Sequence, residues 1–472
     1  MKTSKTLYLS LGLAGTLIPL QGAAQRQTPR EKPNILFILA DDLGIGDISP
    51  YGQTLIRTPN LQRLADQGLR FTQAYAGTTV SAPSRCALMT GLNTSHTAIR
   101  GNIEVEPEGQ APMPADTYTV AHLLHDAGYA TGCFGKWGLG YPGSVSAPEK
   151  MGFGTFFGYN CQSRAHDYYP DHLWDGTKRM ELPENYDHRE TTYSGDMIHG
   201  RALDFIRTHA GEPFFAYLAY TLPHAELRLP RDSVFDYYCT RIPEGDEKPY
   251  RQPKPAGIGT YASQERPLAA YAAMVERLDS YVGSILDLLR ELGIEDNTLV
   301  IFTSDNGPHR EGGAQPSYFG SSGPYKGIKR DLYEGGIRMP MLVRFPGHTP
   351  AGGTTDRMIA FWDMLPTFAE LAGVPVPVPT DGLSFAPTLQ GKGHVRRHRA
   401  LYWEFHEGGG KQAIRQGRWK AVRLNADRPG QASFELYDLS KDVHEDHNVA
   451  DRHPAVARRM RRMLDAANFR AQ

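Results

Sequence analysis

Four oxygen-bearing side chains stand in two adjacent pairs, and each pair follows a short apolar run. The four residues are Asp41, Asp42, Asp305 and Asn306. Neighbouring carboxylates repel each other unless a cation or hydrogen-bond donors compensate their charge. Oxygen ligands without a thiol suit Ca²⁺ or Mg²⁺ rather than Zn²⁺. Either pair alone is also typical of a helix cap or turn, but two pairs after two apolar runs predict a site for a hard cation.

The apolar runs indicate the strands that position these residues. Four of them lie at 34–40, 129–134, 214–220 and 298–303. Their nearly continuous apolar character fits strands that are covered on both faces of a largely parallel sheet. The second run leads into Lys136 and the third into His224. Because the carboxyl ends of parallel strands share one edge of a sheet, we expect Lys136 and His224 to lie beside the carboxylates.

Helix-like stretches separate the apolar runs, at 60–68, 119–128 and 268–292. This alternation predicts an α/β fold with a large, mixed, mostly parallel sheet that is flanked by helices. After about residue 381, partly alternating segments at 400–405, 411–415, 419–423 and 434–439 predict a small antiparallel sheet, and a helix is predicted at 454–467. We therefore expect a main domain with the site at 25–385 and a C-terminal subdomain at 386–472.

A serine lies in a proline–arginine turn before an apolar stretch. The segment reads Ser81-Ala82-Pro83-Ser84-Arg85, and Leu88-Met89-Thr90-Gly91 follows it. Ser81 is predicted just before a helix start, where backbone N–H groups and the helix dipole favour an anion, and Arg85 is placed to add a charge-assisted clamp. From the residues alone, an ordinary helix N-cap explains Ser81 more simply.

Length and charge exclude several classes of protein. The chain has 472 residues, with 51 Lys and Arg against 52 Asp and Glu, so the net charge is 51 − 52 = −1. A protein that coats nucleic acid needs a basic excess, so we expect no nucleic-acid partner. Hydrophobic content of 40% supplies ample material for a core. Four cysteines are too few for a disulfide scaffold.

The N-terminal segment has the three regions of a secretory signal peptide. Lys2 and Lys5 precede an apolar stretch from Leu7 to Leu20, and small residues end at Ala24. The sequence therefore predicts a signal peptide at 1–24 and a periplasmic or extracellular protein without a membrane span. An uncleaved anchor helix is the alternative, although the stretch is shorter than the about 20 apolar residues that a span needs. In an oxidising compartment, Cys86, Cys133, Cys161 and Cys239 could pair in three ways.

The serine segment resembles the signature of the formylglycine-dependent sulfatases, in which Cys or Ser is followed by x-Pro-Ser-Arg and a later Thr-Gly. Further matches to that family are Asp41-Asp42, Gly135-Lys136-Trp137, Pro223-His224, Asp305-Asn306-Gly307, Lys329 to Pro340, and Glu435 to Leu439. The matches follow the order of the family over almost the whole chain. The resemblance implies the alkaline-phosphatase-like fold and the hydrolysis of sulfate esters.

The resemblance also implies the chemistry of Ser81. A serine-type sulfatase-maturing enzyme would oxidise it to formylglycine, which hydrates to a geminal diol. One hydroxyl attacks sulfur, and the second then expels sulfate by re-forming the aldehyde, so that covalent catalysis divides one hard step into two. Cys86 is not in register with this position.

Roles for the other motif residues follow from the same resemblance. Residue 81 and the four oxygen-bearing side chains at strand ends would bind one Ca²⁺ per chain, which orients the diol and a sulfate oxygen. Arg85, Lys136 and Lys329 would balance charge on the sulfuryl oxygens. His224 would protonate the leaving alkoxide as a general acid.

One position departs from the family pattern. Many members carry a histidine where this chain has Gly138, and that histidine is the usual candidate for the base. We expect His166, in the stretch Arg164-Ala165-His166-Asp167-Tyr168-Tyr169, to supply a replacement imidazole, either as the base or as a contact to a sugar.

A sulfated carbohydrate is the substrate class that the resemblance implies. Polar groups that suit its hydroxyls are Arg100, Asn102, Glu404 and His406, and tryptophans that could stack on a ring are Trp137, Trp174 and Trp403. Ordinary packing is the competing explanation for each tryptophan. The Gly-Lys-Trp-Gly and His-Asp-Tyr-Tyr-Pro features look most like a branch that acts on 4-O-sulfated galactose or N-acetylgalactosamine.

Two other functions remain open at this point. Relatives on this fold hydrolyse phosphate or phosphonate esters with a similar diol and metal. If Ser81 is never oxidised, the chain could instead be a non-catalytic glycan-binding protein. The exact sugar, exo or endo action and the oligomeric state do not follow from the sequence.

Overall fold

The computed structural model describes Met1 and residues 32–252, 260–391, 396–428 and 430–467. Its strands are β1 Asn34–Ala40, β2 Leu69–Tyr75, β3 Glu104–Val105, β4 Gly109–Gln110, β5 Ala130–Lys136, β6 Thr155–Tyr159, β7 His172–Asp175, β8 Lys178–Glu181, β9 Phe214–Ala219, β10 Thr298–Ser304, β11 Arg338–Arg344, β12 Gly353–Thr355, β13 Ile359–Ala360, β14 Leu401–Phe405, β15 Lys411–Gln416, β16 Trp419–Leu424 and β17 Ser433–Asp438. Its α-helices are α1 Pro59–Asp66, α2 Ser81–Thr90, α3 Val120–Asp126, α4 Ser194–Thr208, α5 Ser233–Arg241, α6 Pro267–Glu291, α7 Pro316–Phe319, α8 Glu334–Ile337, α9 Met364–Ala372, α10 Ala386–Leu389 and α11 Pro454–Ala466.

A central sheet contains eleven of the described strands. Their order is β12-β2-β11-β10-β1-β9-β5-β6-β7-β8, and β13 also pairs with β2. The middle five strands, β10, β1, β9, β5 and β6, are parallel, whereas β11, β7 and β8 run against their neighbours. The predicted mixed, mostly parallel sheet is therefore confirmed.

Strand β1 lies in the middle of this sheet and is buried along its whole length. Ile35, Phe37 and Leu39 pack on the face that α2, α3 and α9 cover. Leu36 and Ile38 point to the opposite face, into a second core with α6. Side chains alternate between the faces of a strand, so an apolar residue at every position requires helices on both sides of the sheet.

The C-terminal sheet has the antiparallel order β14-β15-β16-β17, as predicted. Helix α11 packs on one face, where Met460 and Leu464 contact Ile414. The other face carries Trp403, which packs in one cluster with Tyr75 at the end of β2. The C-terminal sheet is thus joined to the central sheet by a continuous apolar layer. The boundaries predicted at 25–385 and 386–472 remain predictions.

A buried ion cluster reinforces this junction. Lys420 on β16 lies 3.0 Å from a carboxylate oxygen of Glu334 and 3.0 Å from one of Glu445. Glu445 also accepts a hydrogen bond from the backbone N–H of Glu334, and the Tyr75 hydroxyl donates to Glu334. Glu334 begins α8, and the carbonyl of Gly336 in that helix accepts a hydrogen bond from the N–H of Gly307. The C-terminal sheet therefore supports the loop that follows β10.

Some expectations concern covalent and membrane features. The sequence left the pairing of the cysteines open, and in the structure all four thiols are free, with Cys86, Cys133 and Cys161 buried. Among the described residues, no helix is both long and apolar enough to cross a membrane. The predicted signal peptide at 1–24 lies outside the described residues, apart from Met1.

Candidate active site

Two strand ends bring the predicted oxygen ligands together. Strands β1 and β10 pair in parallel, with Ala40 opposite Ser304, so the residues that follow both strands are neighbours. The backbone N–H of Asp42 donates to Asp305 at 3.1 Å, and the Asn306 amide donates to Asp42 at 2.6 Å. Asp42 has a left-handed backbone (φ 61°), which turns the chain sharply after β1. The carboxyl edge of the sheet thus carries both acidic pairs, as predicted.

The donor set fits a hard divalent cation. Asp41, Asp42, Asp305 and Asn306 are all buried. The carbonyl oxygen of the Asn306 amide is buried and has no hydrogen-bond partner among the described residues. A buried oxygen without a partner costs free energy, which a cation would recover. Burial and the repulsion of Asp41 raise the pKa of Asp305 to about 7, although Arg85 opposes the shift. Carboxylate and amide oxygens without thiols match Ca²⁺ or Mg²⁺.

The serine of the signature begins α2. Val80 is the N-cap and Ser81 is the first helical residue, so the helix begins one residue earlier than predicted. Its hydroxyl donates to Asp41 at 3.0 Å and accepts from the Lys136 ammonium at 3.4 Å. The side-chain carbonyl of Asn102 accepts a hydrogen bond from the N–H of Ala82 at 3.0 Å and so satisfies a donor of the first turn. Ser81 therefore faces the acidic edge at the start of a helix.

Arg85 and Lys136 are buried and hold the carboxylates in place. Arg85 lies one turn after Ser81 and donates twice to Asp305, at 2.9 and 3.0 Å. It also donates to the backbone carbonyl of Lys136. The Lys136 ammonium lies 2.7 Å from Asp41. Burial lowers the pKa of Lys136, and Arg85 acts in the same direction, although Asp41 opposes both. Burial raises the pKa of Asp41, but Lys136, His224 and Arg85 together bring it well below its ordinary range.

His224 and Lys329 form a pair on the other side of Asp42. The Lys329 ammonium lies 2.8 Å from Asp42 and 2.9 Å from the Nε2 atom of His224. The Nδ1 atom of His224 forms a short hydrogen bond with the carbonyl of Ala225. Burial and the adjacent Lys329 lower the pKa of His224 well below its ordinary value. Burial would also lower the pKa of Lys329, but Asp42 and Glu311 raise it above its ordinary value.

Three histidine rings stack at this edge. His166 lies parallel to His224, with ring centroids 4.5 Å apart and planes 5° apart. His309 also stacks on His224, with ring centroids 5.4 Å apart, and its Nδ1 atom lies 3.2 Å from Glu311. The Nδ1 atom of His166 is buried without a hydrogen-bond partner among the described residues. Burial and the nearby His224 lower the pKa of His166 well below its ordinary value. His166 thus lies in the site.

Gly138 has no room for a side chain. Its backbone is left-handed (φ 71°), and a Cβ atom there would lie 2.1 Å from the side-chain nitrogen of Gln162. Gln162 is buried and donates to the carbonyl of Gly138 at 3.3 Å. The space beside residue 138 is therefore filled by Gln162, while the imidazole next to His224 comes from His166.

The four remaining predicted substrate contacts fall into two arrangements. Asn102 bonds the start of α2, as described above. Arg100 and His406 each lie 2.9 Å from the same carboxylate oxygen of Glu404, and the Tyr402 hydroxyl donates to the other oxygen. The carbonyl of Glu404 accepts a hydrogen bond from Thr78, which lies just before α2. This group therefore lies where β14 meets the loop that leads to Ser81.

The three tryptophans are used in packing. Trp137 and Trp403 are completely buried, and each indole N–H donates to a backbone carbonyl. Trp174 donates its N–H to Glu108, next to His172. Stacking of a sugar ring on Trp137 or Trp403 is therefore excluded, because neither side chain presents a face to solvent.

Sequence reasoning missed His309, Glu311, Tyr261 and Gln162. His309 and Glu311 follow Asn306 within five residues, so the same strand end that identified Asn306 could have identified them. Tyr261 lies 5.4 Å from the His166 ring and comes from a distant loop. Nothing in the spacing of Gln162 or Tyr261 connects either residue to the site.

Comparison with known proteins identifies the family. The sulfatase family model matches residues 33–374, and the model of the N-sulphoglucosamine sulphohydrolase C-terminal region matches residues 325–469. The chain is 30% identical to an N-acetylgalactosamine-6-O-sulfatase of Bacteroides thetaiotaomicron, over 93% of this chain and 94% of the relative. It is 32% identical to arylsulfatase A of Homo sapiens, over 92% of this chain and 89% of the relative.

A solved structure gives the same result. The crystal structure of Ps i-CgsB in complex with k-i-k-neocarrahexaose superposes with a TM-score of 0.75 at 29% identity, over 93% of each chain. The family model covers well over half of the residues and both sheets have counterparts in the solved fold. The chain therefore belongs to the sulfatase family, whose members are sulfuric ester hydrolases.

Proposed function

We propose that this protein hydrolyses a sulfate ester on a glycan: R–O–SO₃⁻ + H₂O → R–OH + HSO₄⁻. The observation that carries the proposal is the position of Ser81, whose hydroxyl lies between Asp41 and Lys136 at the carboxyl edge of the sheet. One similar protein is named for a sulfated sugar, and another was solved in complex with k-i-k-neocarrahexaose. Membership of the family and this geometry together support an anionic, sugar-linked ester as the substrate.

Ser81 is the proposed site of the nucleophile. Formylglycine at this position supplies, as its hydrate, a hydroxyl that attacks sulfur and a second hydroxyl through which sulfate is released. Asp41 accepts the hydrogen bond of the side chain at 81 and keeps its oxygen oriented. The Lys136 ammonium lies on the same oxygen and would stabilise negative charge there. Asn102 fixes the first turn of α2 and thereby the backbone of the nucleophile.

The proposed cation is one Ca²⁺ per chain. Asp41, Asp42, Asp305 and Asn306 would hold it together with residue 81, and it would supply Lewis-acid polarisation of a sulfate oxygen. Arg85 keeps Asp305 in the orientation that a ligand needs. The Asn306 side-chain oxygen, which has no hydrogen-bond partner in the described part of the chain, supports the assignment of this residue as a ligand.

Lys329 and His224 are the proposed source of the proton for the leaving oxygen. The Nδ1 atom of His224 bonds a carbonyl, so Nδ1 carries the ring proton of the neutral imidazole and Nε2 accepts from Lys329. The ammonium of Lys329 therefore holds the mobile proton. It reaches the leaving oxygen directly or through Nε2 of His224, while the S–O bond to that oxygen breaks.

His166 is the proposed base. Its ring lies against His224, and its Nδ1 atom has no partner among the described residues, so this nitrogen is available for a proton. Gln162 fills the space beside Gly138 and leaves this role to another part of the chain. The hypothesis fails if His166→Ala retains full activity on the true substrate.

The substrate proposal is a sulfated galactose or N-acetylgalactosamine unit. Arg100, Glu404 and His406 are the proposed contacts to its hydroxyls. The sequence predicts sulfate at O4, whereas one relative is named for O6. Rates with pure 4-O- and 6-O-sulfated N-acetylgalactosamine decide between these positions.

We also propose export: secreted protein should begin at Gln25.

The test needs matured protein. The chain is produced with and without a serine-type sulfatase-maturing enzyme, and the peptide with Ser81 is weighed; formylglycine is about 2 Da lighter than serine. Sulfate release should appear only in the matured sample. Faster release of phosphate or phosphonate from esters of the same phenol would favour that reaction class. Glycan binding with an unmodified Ser81 from the native host would favour a binding protein.

A further inference from the structure

A second polar cavity lies at the outer edge of the central sheet and contains none of the candidate active-site residues. Its volume is about 790 Å³. One wall comes from β2, β12 and the start of β11, and the other from the turn between β15 and β16. The charged residues that line it are Arg338, Arg357, Arg397, Arg415, Arg418 and Asp356, with His398 at one end. Three strand spacings separate β1 from β2, which is about 14 Å.

The cavity has a surplus of positive charge. Five guanidinium groups line it against the single carboxylate of Asp356. Arg338 and Arg415 share one oxygen of the buried Glu334, at 3.1 and 3.5 Å, and the other oxygen of Glu334 faces Lys420. The single carboxylate of Glu334 thus pairs with three cationic side chains.

The remaining arginines are compensated even less. Arg418 lies 3.5 Å from Asp438, and more than half of its side chain is exposed. Among the described residues, Arg357 and Arg397 form no ion pair. Arg357 is nine-tenths buried, and its Nε atom has no hydrogen-bond partner in the described part of the chain. Burial lowers the pKa of Arg357, and the neighbouring Arg397 adds to this effect although Asp363 opposes it. One terminal nitrogen of Arg357 donates to the carbonyl of Arg396, but the Nε–H group is buried without an acceptor among the described residues. An unpartnered buried donor is costly, and a bound anion would remove that cost.

The rest of the lining suits a sugar. Gln73, Thr355, Thr388 and Ser440 present amide and hydroxyl groups, which bond sugar hydroxyls in either direction. Guanidinium groups bind sulfate and carboxylate oxygens with two parallel hydrogen bonds, which an ammonium cannot do. A nucleic acid is disfavoured, because the whole chain has a net charge of −1.

We propose that this arginine-lined cavity is a second, non-catalytic site that binds a sulfated sugar unit of a glycan. The inference rests on the proposed function for the class of glycan, but not on the chemistry at Ser81. A polymer that is held at this site stays near the catalytic edge between turnovers, which raises its effective concentration there.

The experiment measures how many sugars bind to the full chain with Ser81→Ala, which cannot turn over. A sulfated carrageenan hexasaccharide is titrated calorimetrically, beside its desulfated counterpart and inorganic tripolyphosphate. In the Arg397→Ala/Arg418→Ala protein, we expect one hexasaccharide fewer per chain, or at least a tenfold weaker dissociation constant for one site. Both arginines are exposed, and an unchanged melting temperature confirms that the fold is intact.

The matched control is Arg458→Ala/Arg459→Ala, which removes two exposed charges from α11, away from the cavity. This control should bind as many hexasaccharides as the parent. Equal loss in both double variants, or no loss in either, overturns the proposal. So does equal binding of the desulfated sugar, or binding at this cavity of tripolyphosphate alone. Failure of the proposed function is seen separately, as absence of sulfate release by matured enzyme.

Discussion

Two clusters of buried charge lie near the loop that follows β10, and they differ in the kind of group that each leaves without a hydrogen bond among the described residues. The catalytic cluster has three carboxylates and three cations: Asp41, Asp42, Asp305, Arg85, Lys136 and Lys329. The junction cluster has Glu334 and Glu445 around Lys420, with Arg338 and Arg415 on Glu334.

The difference lies in which buried atoms at each cluster have no hydrogen-bond partner among the described residues. Beside the catalytic cluster, the Asn306 side-chain oxygen and the Nδ1 atom of His166 have no hydrogen-bond partner among the described residues, and the His224 ring stacks with two other imidazoles. A divalent cation would add two positive charges to these six groups, which suits an anionic ester. In the junction cluster, the Lys420 ammonium and the facing oxygens of Glu334 and Glu445 have no hydrogen-bond partner among the described residues, but they pair with one another as ions at 3.0 Å. Buried charge is therefore kept for chemistry in one place and for holding two sheets together in the other.

The largest effect is expected from Ser81→Ala. This change removes the only oxygen that Asp41 and Lys136 both contact among the described side chains, so the nucleophile is lost. Activity of the matured enzyme should fall about 10⁴-fold or more, which corresponds to about 5.5 kcal/mol. Initial rates with a sulfate ester measure this, and an unchanged melting temperature shows that only chemistry is affected. Residual activity within tenfold of the parent contradicts the proposal.

Lys420→Met should break the other cluster. It leaves Glu334 and Glu445 buried without their shared cation, and we expect a loss of about 3–5 kcal/mol in the free energy of unfolding. Denaturant unfolding measures the loss. Lys441→Met, at an exposed position, is the control and should change stability by less than about 0.5 kcal/mol. Adding Glu445→Gln should recover part of the loss, because Glu445 is then the carboxylate without a cation among the described residues, whereas Glu334 keeps Arg338 and Arg415.

His166→Ala should lower the catalytic rate about 10²- to 10³-fold, because it removes the proposed base next to His224. The rate is measured with matured enzyme at saturating substrate. Tyr261→Phe keeps the neighbouring ring and is the control, which should remain near the parent rate. An effect on KM alone would assign His166 to sugar binding instead.

Calcium should stabilise the folded chain through the catalytic cluster and not through the junction. At about 100 times its dissociation constant, a ligand adds about 2.7 kcal/mol, so the melting temperature should rise with Ca²⁺ and fall again with a chelator. Asn306→Ala should reduce this response, whereas Lys420→Met should leave it intact. A rise that is equal in the Asn306→Ala protein would place the cation elsewhere.

The smallest effect concerns Gly138. Gly138→Ala adds a left-handed alanine, which costs about 1–2 kcal/mol, and a clash with Gln162. Gly143→Ala is the matched control: Gly143 is also left-handed (φ 78°), but its Cβ would meet nothing within 4 Å. Gly138→Ala should therefore be the more destabilising change in thermal unfolding. In protein that already carries Gln162→Ala, Gly138→Ala and Gly143→Ala should lower the free energy of unfolding by the same amount.

The hydrophobic pattern of a single segment was sufficient to predict the strands and helices that are buried along their length. Strand β1 was predicted at its exact bounds, since both its faces are apolar, and α6 within a residue at each end. Strands β2 and β11 were not predicted. Three of the seven residues of β2 are only partly buried, so its hydrophobic pattern is weak. The antiparallel pairing of β2 with β11 depends on contacts between residues far apart in the chain.

The same limit applies to the site. Strand ends and the serine signature identified the residues at positions 41, 42, 81, 305 and 306, because each lies in a local motif. The filling of the space beside Gly138 by Gln162 could not be predicted, because it depends on two loops that meet only after folding. The arginine-lined cavity arises in the same way, from a sheet edge and a distant turn.

The burial of Ser81 bears on whether its oxidation comes before or after folding. Only 2% of its surface is accessible, and the first turn of α2 encloses its backbone. An enzyme that oxidises Ser81 must reach this side chain, which the folded protein keeps enclosed. We therefore expect the proposed oxidation to precede folding, so that a chain that folds first stays inactive. The yield of active protein then depends on how fast the maturing enzyme acts relative to the folding of the central sheet.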